Sequence, residues 1–398
     1  MKSLIIARDY PLPEISGDRI RTMNFVRYLR KFGRVDLLVY DPINKEMELG
    51  FLPGKLFHIK KDLGSHRCRL SQIYEKIKYS KPWSVCSYTK ECVYAVTKLI
   101  EKEKYDIILC RYALDAYPLF FLNDLMKKNV IIDIDDMITR DLYETLNGST
   151  IGISRIKFLI DYQLNKSYQH KCAKIGTALI CSHKDRSNLE KGKKAGKVFV
   201  VPNIISPPNL PNNYIRDGHN NLNKILFVGN LLYPPNVDGL KWFITEIFTR
   251  LDALGSNFSL MIAGRDTEPS LRSFCDSYSR IQLIGTPPDL VPLYEQCGMV
   301  IVPLLAGGGT RIKILEAGHK LRPVISTKIG AEGLGLLEYD HFLLMNDYTT
   351  FIERYQWLCN RDNYHKLVAN MQQYIAENYS VEIFNRSMDS VMKSIVSR

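Results

Sequence analysis

The sequence predicts an α/β protein with two parallel-sheet domains. Three observations carry this: two successive series of short Val-, Ile- and Leu-rich runs, helix-period stretches between the runs, and a Pro- and Asn-rich break separating the series. At 398 residues the chain exceeds one ordinary core. Two domains of about 200 residues each would accommodate it.

The first series comprises SLIIA (3–7), VDLLVY (35–40), YDIILCR (105–111), VIIDI (130–134), TALICS (177–182) and VFVVP (198–202). Short runs of branched apolar residues suit strands buried on both faces. Helical patterns at 19–32, 90–103 and 155–174 alternate with them, as in a parallel sheet wrapped by helices. The stretch NIISPPNLPNNYIRDGHNNLN (203–223) has no sustained periodicity and reads as a break, with the linker at 206–223. A second series follows: KILFVGN (224–230), SLMIAG (259–264), RIQLIG (280–285), GMVIVPL (298–304), PVISTK (323–328) and HFLLM (341–345). Its helical partners fall at 236–254, 268–278, 288–297, 311–320, 347–358 and 361–378. The expected division is an N-terminal domain over 1–205 and a C-terminal domain over 224–379.

Neither first strand leads into the G-x-G-x-x-G of a dinucleotide site: RDYPLPEISGDR follows SLIIA, and NLLYPPNVDG follows KILFVG. Paired Rossmann-like domains without a bound cofactor are therefore expected. Ligands of such sheets lie beyond the carboxyl ends of the strands, so the two sheets should face each other across a cleft.

Composition excludes several classes. Hydrophobic content of 45% and charged content of 24% describe a globular protein. No uninterrupted apolar run reaches the ~20 residues of a membrane span. The first apolar stretch ends at Arg8 and Asp9, too soon for a signal-peptide core, so a cytoplasmic location is expected. The nine cysteines form no C-x-x-C pair and no zinc-like spacing, which suits free thiols in a reducing compartment and no metal. The formal charge of +12 concentrates in 54–82, where Lys55, Lys60, Lys61, Arg67, Arg69, Lys76, Lys78 and Lys81 face only Asp62 and Glu75. Interleaved apolar residues make that segment suited to an anionic membrane surface at a peripheral location; a solvated helical face over a buried stripe is an equal alternative. No nucleic-acid motif accompanies the charge.

The richest stretch for chemistry is VIVPLLAGGGTRIKILEAGHKLRPVIST. Three glycines, Gly307, Gly308 and Gly309, lead through Thr310 into a helix beginning near Arg311. Glycines let backbone approach a ligand closely, and amides at a helix N-terminus attract an anion. Arg311 and Lys313 stand at the unfavourable end of a helix for cations unless an anion lies there, and a diphosphate would meet that condition. Glu316, one turn on, could accept two hydrogen bonds from a ribose diol or pair with Arg311 or Lys313 on the helix surface.

This region resembles the nucleotide-sugar-binding core of glycosyltransferase family 4, retaining enzymes of the GT-B fold. G-G-G-T-R-I-K-I-L-E-A together with G-A-E-G-L (330–334) is similar to a subgroup associated with bacterial exopolysaccharide synthesis. The resemblance extends through FVGNLLYPPNVDGLKWF (227–243) and IGTPPDLVPLYEQCGMVIVPL (284–304). It implies a nucleoside diphosphate sugar donor, UDP-linked in preference to GDP-linked, with donor contacts at Gly229, Asn230, Arg265, Gly285, Pro287, Gly308, Gly309, Thr310 and Glu316. It also implies that the tail, 380–398, crosses back to complete the first domain. The chain departs from the family in two places. Gly308 stands where the family carries the first of two glutamates, and Asn230 and Asn236 stand near its usual Arg and Lys. Arg311 and Lys313 are then the candidates for the missing phosphate charge.

In the first domain SGDRIR (16–21) occupies the place of the family's glycine-rich loop. Gly17 would approach donor phosphates or acceptor, and Asp18 and Arg21 would orient an acceptor glycan or lipid-linked sugar. VIIDIDDMITR (130–140) aligns with the strand ending in the family's His-Asp pair, which puts Asp135 and Asp136 in the catalytic group with Arg311 and Lys313. Three clustered carboxylates are costly to bury, so they should line the cleft with raised pKa values. Ser182 and Asn203 are expected nearby. The resulting expectation is a retaining glycosyltransferase of bacterial surface-polysaccharide synthesis. A GT-B epimerase and an inactive partner subunit are the alternatives.

Overall fold

The computed structural model describes residues 1–14, 16–40, 54–60, 88–135, 153–190, 196–208, 210–214, 216–253, 257–265, 267, 269–307 and 311–396. The chain divides into two compact units, one running to Ile204 and resuming at Glu382, the other spanning Ile205–Val381.

Unit 1 carries a seven-stranded parallel sheet: β1 (Lys2–Ala7), β2 (Arg34–Val39), β3 (Leu56–His58), β4 (Ile107–Arg111), β5 (Val130–Asp133), β6 (Thr177–Ile180) and β7 (Lys197–Val200). The strand order is β3-β2-β1-β4-β5-β6-β7. Six strands coincide with the six apolar runs, and their side chains fill a core that includes Leu4, Ile6, Ile108, Val130 and Ile132. The seventh, β3, corrects the expectation for 54–82. Its first residues pair with β2 as an edge strand, Leu37 opposite Leu56 and Val39 opposite His58. An edge strand of two half-buried residues and an exposed His58 leaves no apolar run to recognise. Residues 61–82, which carry most of the basic charge, lie outside the described residues.

The helices of unit 1 are α1 (Gly17–Arg30), α2 (Lys90–Glu103), α3 (Asp124–Lys127), α4 (Ile153–Ile175) and α5 (His183–Glu190), with a 3-10 helix over Ala113–Phe121. Helix α2 shows why these segments are helical. The Thr89 side chain accepts from Cys92 N at 3.2 Å, Cys92, Val96 and Ile100 form its buried face, and Lys104 ends it in the left-handed region. Such a cap contributes about 1 kcal/mol.

Unit 2 repeats the plan with six parallel strands: β8 (Lys224–Val228), β9 (Ser259–Ala263), β10 (Ile281–Gly285), β11 (Met299–Val302), β12 (Val324–Ser326) and β13 (Leu343–Leu344). Their order is β10-β9-β8-β11-β12-β13, the same relative order as the first six strands of unit 1. The direction of winding reverses between β1 and β4 and between β8 and β11, and ligands of such sheets bind beyond the carboxyl ends of the strands at that point.

Around this sheet lie α6 (Pro234–Phe243), which passes through a π turn at Ile244–Phe248 into α7 (Thr249–Ala253), then α8 (Pro269–Asp276), α9 (Val291–Gln296), α10 (Ile312–His319), α11 (Tyr348–Cys359) and α12 (Arg361–Asn378). Gly318 lets α10 and α12 pack closely, since a Cβ there would lie 2.5 Å from Ile375 Cδ1 and 2.9 Å from Met371 Cγ of α12. The last helix, α13 (Val381–Val396), packs in unit 1 from Glu382 onward. The seven described cysteines are free, six of them buried. No described helix is long and apolar enough to cross a membrane.

Candidate functional site

In unit 2 the strand ends are laced together by backbone. Gly229 N donates to Ala263 O at 3.0 Å, and Gly264 N donates to Gly285 O at 2.8 Å. Leu231 N donates to the carbonyl of Arg265 at 3.1 Å, which folds the loop after β8 onto the loop after β9. Gly264 has to be glycine, since a Cβ would lie 1.9 Å from Gly229 O. Gly285 takes a φ of +77 at the end of β10. Pro287 lies two residues on, and Asp289, just before α9, accepts from Val291 N at 2.9 Å. Asn230 closes its own turn by accepting from Leu232 N at 2.9 Å. These residues therefore gather Gly229, Asn230, Arg265, Gly285 and Pro287 at the carboxyl edge of one sheet.

Helix α10 starts at Ile312, one residue later than the sequence suggested, with Arg311 at its N-cap. Arginine cannot accept a hydrogen bond, and no side-chain cap bond forms there among the described residues. Ile314 N turns back to Arg311 O at 2.9 Å, and among the described residues no Ser, Thr or Asp oxygen caps the amides of Ile312 and Lys313. Gly308, Gly309 and Thr310 lie outside the described residues. Gly307, at φ +115, precedes them, and a Cβ on it would meet Arg311 Nη2 and the Tyr233 hydroxyl, each at 3.1 Å.

The two cations of this helix start have different surroundings. Arg311 is 7% exposed. Lys313 Nζ donates to Asn236 Oδ1 at 2.7 Å and sits 4.9 Å from the centre of the Phe227 ring. Burial and the neighbouring Arg311 lower its pKa to about 7, with Glu316 acting in the opposite sense. Glu316 is half-buried on the same helix. Burial raises its carboxyl above the usual value, while Lys320 and Lys313 pull it down. Arg311, Lys313 and Glu316 thus form one charged group at the head of α10, beside Gly229 and Asn236. The sequence singled out Asn236 only as a departure from a family pattern, and it missed Phe227 as the face beneath Lys313.

In unit 1 the carboxyl ends of β4 and β5 hold a buried ion-pair network, and here the structure corrects one expectation. Arg21 is 1% exposed and wholly engaged: it contacts both oxygens of Asp133 at 2.7 and 2.8 Å, Asn203 Oδ1 at 2.7 Å and Val201 O at 3.0 Å. Its guanidinium is thus held on every edge within unit 1. Asp135 accepts from Arg111 Nη2 at 2.9 Å, Asn203 Nδ2 at 3.0 Å and Cys181 Sγ at 2.7 Å. Burial alone would raise its pKa, but the guanidiniums of Arg111 and Arg21 outweigh that effect and hold it well below the usual carboxylate range. The carboxylate therefore stands ionised and paired, and the raised pKa expected for it is not found. Asp136 lies outside the described residues. The signal that would have found the network is the chemistry of two strand termini: Arg111 ends β4 and Asp133 ends β5, so neighbouring parallel strands bring them together.

Gly17 opens α1 and Asp18 follows in its first turn, both half-buried. The Asp18 carbonyl accepts from the Thr22 hydroxyl at 2.8 Å, which fixes the helix start. Ser182 accepts from Asp185 N at 3.1 Å and donates to its carboxylate at 2.6 Å, capping α5. Among the described residues no group of three or more His, Cys, Asp or Glu side chains could hold a metal ion.

Comparison with known proteins bears on this geometry. Residues 223–361 match the family described as glycosyl transferases group 1. An uncharacterized 44.6 kDa protein in the cps region of Klebsiella pneumoniae is 26% identical over 400 residues, covering 96% of this chain and 98% of that protein. Among solved structures, sucrose-phosphate synthase from Thermosynechococcus elongatus superposes with a TM-score of 0.70 at 14% identity, over 100% of this chain and 99% of that one. Anabaena HepE in complex with UDP-glucose gives 0.67 at 14% identity, over 99% of this chain and 100% of the other.

Proposed function

We propose, from the premise that this chain is a GT-B glycosyltransferase whose residues 223–361 belong to the glycosyl transferases group 1 family, that its second unit binds a nucleoside diphosphate sugar and transfers the sugar with retention of configuration. The observation that carries this reading is the head of α10, where Arg311, Lys313 and uncapped helix amides converge beside the loop after β8. Their charge suits a diphosphate, as substrate and then as leaving group. The bond between the anomeric carbon and the diphosphate oxygen breaks, a bond to the acceptor hydroxyl oxygen forms, and the hydroxyl proton passes to the departing phosphate or to water. Fixed cations and helix amides aimed at the developing diphosphate charge are the main electrostatic contribution available. Glu316 is suited to accept from the ribose hydroxyls. Backbone at Gly285 and Pro287 is suited to hold the base.

UDP-glucose bound to HepE favours a uridine nucleotide, with a guanosine donor as the alternative. The cps-region relative favours a role in bacterial surface polysaccharide synthesis, with a glycan or lipid-linked sugar as acceptor. Gly17 and Asp18 of unit 1 remain the proposed acceptor contacts, and the diphosphate requires no resident cofactor. The test is calorimetric titration with UDP- and GDP-sugars, followed by transfer assays of Arg311→Ala and Glu316→Gln. Loss of donor affinity or turnover by about tenfold or more in each supports the site. Undiminished transfer in both overturns it, and donor binding without transfer to any acceptor favours an inactive partner subunit.

A further inference from the structure

The Lys313 amine is held in an unusual way for a phosphate ligand. Its one described hydrogen-bond acceptor is neutral: Nζ donates to Asn236 Oδ1 at 2.7 Å. The Asn236 amide is itself fixed, because its Nδ2 donates to Asn230 O at 2.9 Å and the residue is 5% exposed. Flipping that amide would set an NH2 against the lysine and an oxygen against a carbonyl, so the orientation is determined by both ends. The remaining donors of Nζ lie near Gly229, where even a Cβ would come within 3.1 Å. Lysine responds to such surroundings by shedding its proton, which arginine does not do.

We propose that this amine takes up a proton as it captures the donor diphosphate, with Asn236 the positioning residue that aims it, so that donor binding is linked to pH. The inference rests on the donor-site reading above and adds its regulation. The charged groups acting on Lys313 are Arg311, which disfavours its protonation, and Glu316, which favours it. Asn236 from α6, and Phe227 and Gly229 from β8 and its loop, bring no charge. With the amine titrating near pH 7, alkaline solution leaves it largely neutral before binding. A bound diphosphate then supplies the missing negative charge and restores the ammonium. Linkage gives the sign: the bound state holds more protons, so affinity falls as pH rises through 7.

The experiment is titration calorimetry with UDP-glucose and GDP-mannose, whose diphosphates carry no group titrating near neutrality, in buffers of different ionisation enthalpy. For whichever ligand binds more tightly, uptake of about one proton per site is expected at pH 8 and almost none at pH 6. Affinity should weaken on the order of tenfold between pH 7 and 8.5. Lys313→Arg should abolish the uptake and flatten the profile, because guanidinium stays charged. Asn236→Leu should move the midpoint of the profile down and Asn236→Asp should move it up, which a merely structural asparagine would not do. Binding at pH 8 without proton uptake, or midpoints unmoved by both Asn236 variants, overturns the inference and leaves the donor site standing. Failure of both nucleotide sugars to bind at millimolar concentration overturns the donor-site reading itself.

Discussion

Arg21 and Asp133 face each other as a two-point ion pair, guanidinium Nε and Nη2 at 2.8 and 2.7 Å from the two carboxylate oxygens. Both side chains are essentially removed from solvent. Arg111 contacts the same carboxylate from β4, so one Asp133 holds two buried cations. Removing one partner of a buried pair strands the other charge, and Arg21→Ala should therefore cost about 3–5 kcal/mol of unit 1 stability. The double change Arg21→Met with Asp133→Leu should lose much less, because nothing charged is left uncompensated apart from Arg111, which retains Asp135. Thermal unfolding of the two variants distinguishes this role from acceptor binding. A stable Arg21→Ala protein whose only defect is a weakened acceptor affinity would restore the reading taken from the sequence.

How much of this was legible in the sequence follows from the range of the interactions involved. Runs such as IILCR and VIID announce buried parallel strands by composition alone, and the helix 90–103 shows its cap and its apolar face within a few neighbouring residues. Strand β3 was hidden because an edge strand needs little apolar surface. The charged head of α10 was legible because Arg311, Lys313 and Glu316 lie within one short stretch of sequence. Its partner Asn236 lies 77 positions away, and nothing local says that its amide meets a lysine. The same limit explains Asp135: three clustered carboxylates predict raised pKa values only when the two guanidiniums that neutralise them, 24 and 114 positions away, are left out.

The end of the chain should matter to the stability of unit 1. Tyr28 of α1 donates to Asp389 at 2.6 Å, and Phe384 packs on Phe25 with ring centres 5.4 Å apart. Phe384 is 1% exposed, so Phe384→Ala should destabilise by about 3–4 kcal/mol, whereas Tyr28→Phe should cost about 1 kcal/mol. Burial first, and Asp389 second, raise the Tyr28 phenol above 10.0. Its contribution is therefore complete below pH 10 and is lost as pH rises through the higher folded-state value. Urea unfolding at pH 7.5 and pH 10.5 should show a smaller Tyr28→Phe penalty at the higher pH, where the unfolded phenol already ionises and the folded one does not. A penalty already absent at pH 7.5 refutes the hydrogen bond's role.

Function and stability should conflict at Lys313. Its pKa is lowered from 10.5 to about 7 by burial and by Arg311, so the folded state binds fewer protons than the unfolded state between those values. The residue's contribution is full above pH 10.5 and is lost as pH falls through 7. Lys313→Met, which keeps the stem over Phe227 and removes the charge, should raise the stability of the donor-free protein by about 1 kcal/mol at pH 6.5. The gain should be smaller at pH 9.5. The same variant should bind UDP-glucose at least about tenfold more weakly. Scanning calorimetry and titration on one preparation test both halves, and a destabilised variant with normal affinity contradicts both.

Two neighbouring glycines should separate fold from site. At Gly264 a new Cβ would lie 1.9 Å from the backbone oxygen of Gly229, and backbone cannot yield without pulling β8 and β9 apart. Gly264→Ala should therefore cost about 2–3 kcal/mol of unit 2 stability. At Gly229 the new Cβ would meet Asn236 Nδ2 at 3.0 Å and Lys313 Nζ at 3.1 Å, the far ends of two side chains. These can give way by a few tenths of an ångström, so the stability cost of Gly229→Ala should stay below about 1 kcal/mol. The displacement would misalign the amide and the amine that it fixes, and UDP-glucose affinity should fall by about fivefold to tenfold. A melting temperature near wild type with weakened nucleotide binding is the expected signature of Gly229→Ala. Equal losses of stability in the two variants would mean that Gly229, like Gly264, serves only the packing of the strand ends.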